Sequence, residues 1–219
     1  MSGFGGGPFS PKHSSSGALP KQLGSSLLII DPSGKIIVSY RKTHPVFGWE
    51  AGIMRRGDGH LPLVATSDGR IAAAICYDAD FPEFIRQGGR GSADMLIVPA
   101  NDWAEIRTAH AQMAAFRAIE NGVPLVRPAS SGISAAFDAW GRVMGLADYF
   151  SPGDRTFTVQ VPVGSVPTLY ARIGDLFAWI CVTGLAVALG VAAVGHSMLK
   201  AQPSDDGRQA HSSASRYLG

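Results

Sequence analysis

Cys76 directly follows an apolar run at 71–75 (IAAAI) and precedes Tyr77 and Asp78. A side chain on the turn after a strand is presented at the end of a sheet. A thiolate placed there is the strongest ordinary nucleophile near neutral pH. Such a cysteine needs a proton acceptor and a positive group or N–H to hold an oxyanion. Lys42, just past a β-rich run in RKTHPVFGWE, is a candidate for the positive group. The residues by themselves leave two readings of Cys76 open: a nucleophile, or a buried structural thiol. Serine-hydrolase chemistry would need a GxSxG, which the chain lacks. A papain-like pair would draw on His44 or His110, and neither sits in a recognisable context. The six histidines are scattered and the cysteines, Cys76 and Cys181, form no CxxC. The spacing therefore predicts no metal, no cofactor and no disulfide framework.

The elements that must position these residues can be read in order. Apolar runs at 27–30 and 36–40, joined by DPSGK, predict a β-hairpin that delivers Lys42 just past its end. The run at 71–75 predicts a strand leading into Cys76. Asp80, with Glu83 three residues on, has the spacing of a helix cap, and Pro82 suits the first turn. Residues 94–99 predict another buried strand. Asp102 and Glu105 repeat the capping spacing before a helix whose apolar face would be Ile106, Ala109, Met113 and Phe116. Gly122 and Pro124 stop that helix. Residues 125–127, 133–137 and 156–161 read as strands. Strands alternate with helices early and dominate late, which predicts an α/β fold with a mixed sheet. Asn101 and Trp103 fall just after a strand, where ligand groups often sit. They are candidates for a substrate pocket, against the plainer roles of cap and core aromatic. Arg117 and Glu120, three apart on one helix face, predict a structural ion pair.

Three segments in order, YRKTHPVFGWE, AICYDADFPEFIRQ and PANDWAEIRTAHAQMAAFRAIENGVPLVRPASSGISAAFD, resemble the nitrilase or carbon–nitrogen hydrolase superfamily. Within it they are most similar to the C-terminal half of the apolipoprotein N-acyltransferases, a resemblance covering about 25–195. The resemblance implies a partial nitrilase-type α-β-β-α sandwich and a thiol mechanism. Cys76 matches the nucleophile, Lys42 the lysine of the oxyanion site, and Glu50 the glutamate eight residues beyond it. Tyr77 and Asp78, beside the nucleophile, join Asn101 and Trp103 as expected substrate-binding residues. Asp78 stands where the family has glutamate, one carbon shorter. The family's general-base glutamate lies upstream of the lysine, yet the chain has no glutamate before Glu50. The expectation is thus a domain lacking its N-terminal part. It is either active alone, completed by another chain, or an inactive fragment serving as an interaction module. The implied substrates are a phospholipid acyl donor with a lipoprotein N-terminal amine as acceptor, or a small amide.

Composition narrows the classes further. The 19 Lys+Arg and 17 Asp+Glu leave a net charge of only +2, which argues against a nucleic-acid binder and against charge-driven disorder. Charged residues make up 16% of the chain, below the usual ~25%. Part of that depletion comes from LFAWICVTGLAVALGVAAVG, twenty uncharged residues at 176–195, long enough at ~1.5 Å per residue to cross a bilayer. The expected organisation is a Gly/Ser/Pro-rich disordered segment at 1–24, the hydrolase domain at 25–170, a transmembrane helix at 174–196 and a polar tail at 197–219. That places the chain in the cell membrane with a single pass, its flanking charges too balanced to orient it. The missing early strands predict an exposed sheet edge that invites a second copy or a completing chain.

Overall fold

A computed structural model describes residues 23–153 and 155–201. Most of the segment expected to be disordered, residues 1–22, and the tail from 202 fall outside the described residues. The chain divides into two units, between Ala171 and Arg172.

In the first unit, β1 (Ser26–Ile30) and β2 (Ile36–Arg41) form the expected antiparallel hairpin. Asp31 makes its turn: the carboxylate accepts from the backbone N–H groups of Ser33 and Lys35 and from the Ser33 hydroxyl. A short helix, α1 (Trp49–Ile53), follows. β3 (Leu63–Thr66) pairs antiparallel with β4 (Gly69–Ala73), which leads to a one-turn 3-10 helix at Cys76–Asp80 and then to α2 (Pro82–Arg90). β5 (Met95–Ile97) and β6 (Ala100–Asn101) precede α3 (Arg107–Asn121). β7 (Leu125–Arg127), β8 (Ala129–Ser130), β9 (Ile133–Phe137) and β10 (Val143–Asp148) complete the strands, and α4 (Leu169–Ile173) spans the unit boundary. The main sheet runs β10-β9-β7-β5-β4-β3. Its centre, β4-β5-β7, is parallel and its flanks are antiparallel, so the expected mixed sheet is present.

The core gathers Ala72, Leu96, Leu125, Ala135 and Phe137 from the strands, Phe84 and Ile85 from α2, and Ala111, Ala114 and Ala118 from α3. This corrects the predicted helix face. Ala109 is exposed and Phe116 is 58% exposed, whereas an alanine stripe at 111, 114 and 118 faces inward. Alanine lets a helix approach a sheet closely, and a reading weighted toward large side chains overlooks it. The helix ends at Gly122, in the left-handed region at φ 62°, where a Cβ would come within 1.9 Å of the Val166 carbonyl oxygen.

Two further expectations fail. Asp80 and Asp102 cap no helix: α2 and α3 start at Pro82 and Arg107 with no side-chain cap, and both aspartates pair with His110 instead. Residues 156–161 form no strand. The sixth strand is β10, whose thinner apolar pattern sits at a sheet edge where one flank faces solvent.

The second unit contains α5 (Leu176–Ala201), which extends past the expected end at 196. Its stretch Leu176–Val194 is long and apolar enough to cross a membrane, and none of it is buried in the protein. Cys181 lies on this helix and is exposed.

Candidate active site

The backbone holds Cys76 in an unusual conformation. Its φ is 48°, in the left-handed region that a side chain with a Cβ adopts only at a cost of about 1–3 kcal/mol. The strain is held from both sides. Ahead of the turn, the Cys76 N–H donates to the Pro99 carbonyl at 2.9 Å. Within it, the wholly buried Asp78 carboxylate accepts from the Tyr40 hydroxyl (2.7 Å) and from the backbone N–H groups of Thr43 (3.1 Å), His44 (2.7 Å) and Ile75 (3.1 Å). The His44 ring also lies 3.1 Å from Asp78 and stacks on Phe81. Asp78 thus ties the cysteine turn to the segment that carries Lys42. It does not line the cavity described next, so its expected place against substrate is corrected to an internal anchor.

Cys76 lines a cavity of about 240 Å³ together with Val46, Trp49, Glu50, Tyr77 and Asn101, closed behind by Asp102, Trp103, Ile106 and His110. The structure therefore brings together five expected residues: Cys76, Glu50, Tyr77, Asn101 and Trp103. Lys42 is buried just behind them, its Nζ 2.8 Å from Glu50 Oε2. The Val46 N–H also donates to Oε2, at 2.7 Å. Both bonds fall on one oxygen, which leaves Glu50 Oε1 with no protein donor among the described residues. Cys76 Sγ lies 3.7 Å from the Asn101 carbonyl oxygen, and the Asn101 side chain accepts from the Ser130 hydroxyl. Burial pushes the Cys76 thiol above its ordinary range. The positive charge of Lys42 pulls it partly back, and the net shift favours the protonated thiol.

The far wall is an ion network that the sequence reading missed. His110, on α3, places Nδ1 3.0 Å from Asp102 Oδ1 and Nε2 3.4 Å from Asp80 Oδ2. Arg127, at the end of β7, grips both Asp102 oxygens at 2.8 Å and donates to the Ile133 carbonyl. Hydrogen bonds to Asp102 and then to Asp80 raise the His110 pKa to about 9 against the opposing effect of burial. Burial works to raise Asp102, but the bonds from His110 and Arg127 outweigh it and hold that carboxyl below its usual range. Gly132 makes room, since a Cβ there would stand 2.4 Å from Asp102 Oδ2. One signal for this network was present in the sequence. Arg127 ends an apolar strand, and a cation so placed must find a buried partner. Arg117 and Glu120 form their expected pair at 3.2 Å.

A family model described as carbon-nitrogen hydrolase matches residues 8–169. The apolipoprotein N-acyltransferase of Geobacter metallireducens is 34% identical over 203 residues, 84% of this chain and 38% of that protein. That of Rhodopseudomonas palustris is 39% identical over 180 residues, 72% of this chain and 33% of that protein. The chain thus spans well under half the length of these curated relatives. Among solved structures, an amidase from Nesterenkonia sp. AN1, carrying acrylamide added at its active-site cysteine, aligns with a TM-score of 0.57 at 21% identity. The match covers 75% of this chain and 64% of that one. A carbon-nitrogen hydrolase from Helicobacter pylori G27 aligns at 0.52 and 23% identity, covering 57% and 53%. At such identities the structural likeness shows the fold alone: the mixed α/β architecture is nitrilase-like.

Proposed function

This chain belongs to the carbon–nitrogen hydrolase family, and on that premise we propose that it is a membrane-anchored thiol acyltransferase working through Cys76. The donor is a phospholipid ester and the acceptor the N-terminal amine of a lipoprotein. One observation carries the reading: a cysteine held in a left-handed conformation shares a cavity with a glutamate that has a free oxygen, and a buried lysine charge bears on its thiol. The names of the relatives support the choice of acyl transfer, and α5 supports the anchor as a single-pass span in the cell membrane.

The chemistry follows from those positions. The resting thiol is protonated and needs a base. Asp102 is saturated by Arg127 and His110, which leaves Glu50 Oε1 as the acceptor. Cys76 Sγ attacks the ester carbonyl carbon and its proton passes to Glu50. The carbonyl electron pair moves to oxygen, where Lys42 and the backbone N–H of Tyr77 stabilise it. Collapse expels the lysophospholipid alkoxide, which takes the proton from Glu50 and leaves a thioester on Cys76. The amine then attacks the thioester, gives its proton to Glu50 and releases the thiolate, which is reprotonated. Tyr77, Asn101 and Trp103 orient the acyl group. A second copy or another chain would pair at an edge of the main sheet, where Val143 and Leu146 of β10 are exposed.

A second reading, an amidase for a small amide, is favoured by the modest cavity volume and by the amidase neighbours. The test separates them. Detergent-purified chain is incubated with phospholipid and a peptide bearing a free N-terminal amine. Lysophospholipid release with N-acylation of the peptide, both lost in Cys76→Ala and slowed about 10²–10⁴-fold in Glu50→Gln, is the expected result. Ammonia release from acetamide without lysophospholipid release would instead establish the amidase.

A further inference from the structure

Among the described residues no hydrogen bond or ion pair joins His110 to Glu50 or Lys42, and both of its ring nitrogens face a carboxylate, Asp102 at Nδ1 and Asp80 at Nε2. A carboxylate only accepts, so both nitrogens must carry protons for both contacts to be hydrogen bonds. With each nitrogen facing a carboxylate, the imidazolium is the form the geometry favours, and that form has no lone pair with which to take the thiol proton. Its two partners are significant for where they stand. Asp80 is the last residue of the turn that begins at Cys76. Asp102 follows Asn101, whose carbonyl faces the thiol.

We propose that His110 is a positioning residue: an imidazolium that staples the Cys76 turn to the Asn101 wall and whose charge offsets two carboxylates, Asp102 in the cavity wall and Asp80 at the end of the cysteine turn. The charged groups around it come from every neighbouring element. Asp80 faces it from the cysteine turn and Asp102 from the end of β6, with Arg127 of β7 behind Asp102. Cys76 and Glu50 line the same cavity, and Lys42 pairs with Glu50. With His110 charged, the group of Asp80, Asp102, His110 and Arg127 sums to zero. Without that charge the wall next to the thiol is net negative.

This rests on Cys76 being the reactive thiol, and the test keeps the two claims apart. Cys76 is alkylated at pH 7 with neutral iodoacetamide and with anionic iodoacetate, each followed by mass of the Cys76 peptide. The thiolate fraction affects both rates alike, so their ratio reports the potential at the sulfur. The His110→Gln variant is expected to lower the iodoacetate-to-iodoacetamide ratio about tenfold, the order of effect of one charge a few ångströms away. Asp80→Asn, which removes one carboxylate, is expected to raise it, and His110→Lys to restore it toward the parent value. A purely structural histidine would lower the melting temperature and leave the ratio unmoved. Ratios that stay constant, or that shift the same way in the Gln and Asn variants, overturn the proposal. If His110→Gln does not fold, Asp80→Asn decides alone: a ratio that fails to rise overturns it. The labelling needs no acyl donor, so a chain that responds as expected yet transfers no acyl group strikes only the function proposed above.

Discussion

On one side of Cys76 the cavity wall is a closed ion network, and on the other it is a five-residue helix with no buried residue. The network wall, from Asp102 through His110 to Arg127, has each carboxylate oxygen of Asp102 matched to a donor and its arginine 2% exposed. The helix wall carries Trp49, 68% exposed, beside Phe47 at 92%, and is tied down by Glu50 to Lys42 and Val46 and by backbone bonds such as Leu23 N–H to the Ile53 carbonyl. Few buried contacts mean a low local cost of opening. In the mechanism we propose, the two walls have different duties: the network wall fixes the thiol, and the helix wall admits substrate and moves the proton.

The largest expected effect breaks the network wall. Arg127→Ala leaves Asp102 buried beside a single cation and should cost about 3–5 kcal/mol of stability, the range for breaking a buried pair. Urea unfolding of the full chain in detergent measures it, and a loss below ~1 kcal/mol would mean the wall is not what holds the site.

The next effect comes from pH. His110 has its pKa raised from 6.5 to about 9 in the folded protein, so the folded state binds the proton more tightly than the unfolded chain. The resulting stabilisation is fully present below pH 6.5 and is lost as pH rises through about 9. Asp102 is shifted the other way, and its contribution is lost as pH falls through its depressed folded value. Melting temperature should therefore be flat near pH 5–6 and fall by several degrees toward pH 9.5. In His110→Gln the alkaline fall should shrink.

The smallest effect lies on the helix wall. Trp49→Ala should change stability by no more than about 0.5 kcal/mol while altering the rate at which iodoacetamide reaches Cys76. A stability loss as large as that of Arg127→Ala would erase the contrast between the walls.

The resemblance of short motifs picked out Cys76, Lys42 and Glu50, whereas neither the short helix that carries Glu50 nor the network wall was legible in the sequence. Cys76, Lys42 and Glu50 lie in short contiguous motifs, and the hairpin and parallel strands have strong local patterns. His110, Asp102 and Arg127 come from three elements, brought together by a sheet order that no single segment encodes. Asp80 and Asp102 carried a convincing capping pattern, but the demand of a buried arginine and a doubly flanked imidazole outweighs the gain from a cap. The alanine face of α3 was hidden for a related reason: its burial is decided by how closely the helix approaches the sheet. Residues 156–161 have strand-like composition yet join no ladder, since composition does not supply a partner strand.

The most direct test of the central claim is intact mass of the detergent-purified chain after incubation with phospholipid, beside Cys76→Ala. The account predicts an acyl adduct on the parent alone, removed by hydroxylamine as a thioester should be. An adduct of equal size on Cys76→Ala, or none on folded parent whose Cys76 still alkylates, would contradict acyl transfer through this cysteine.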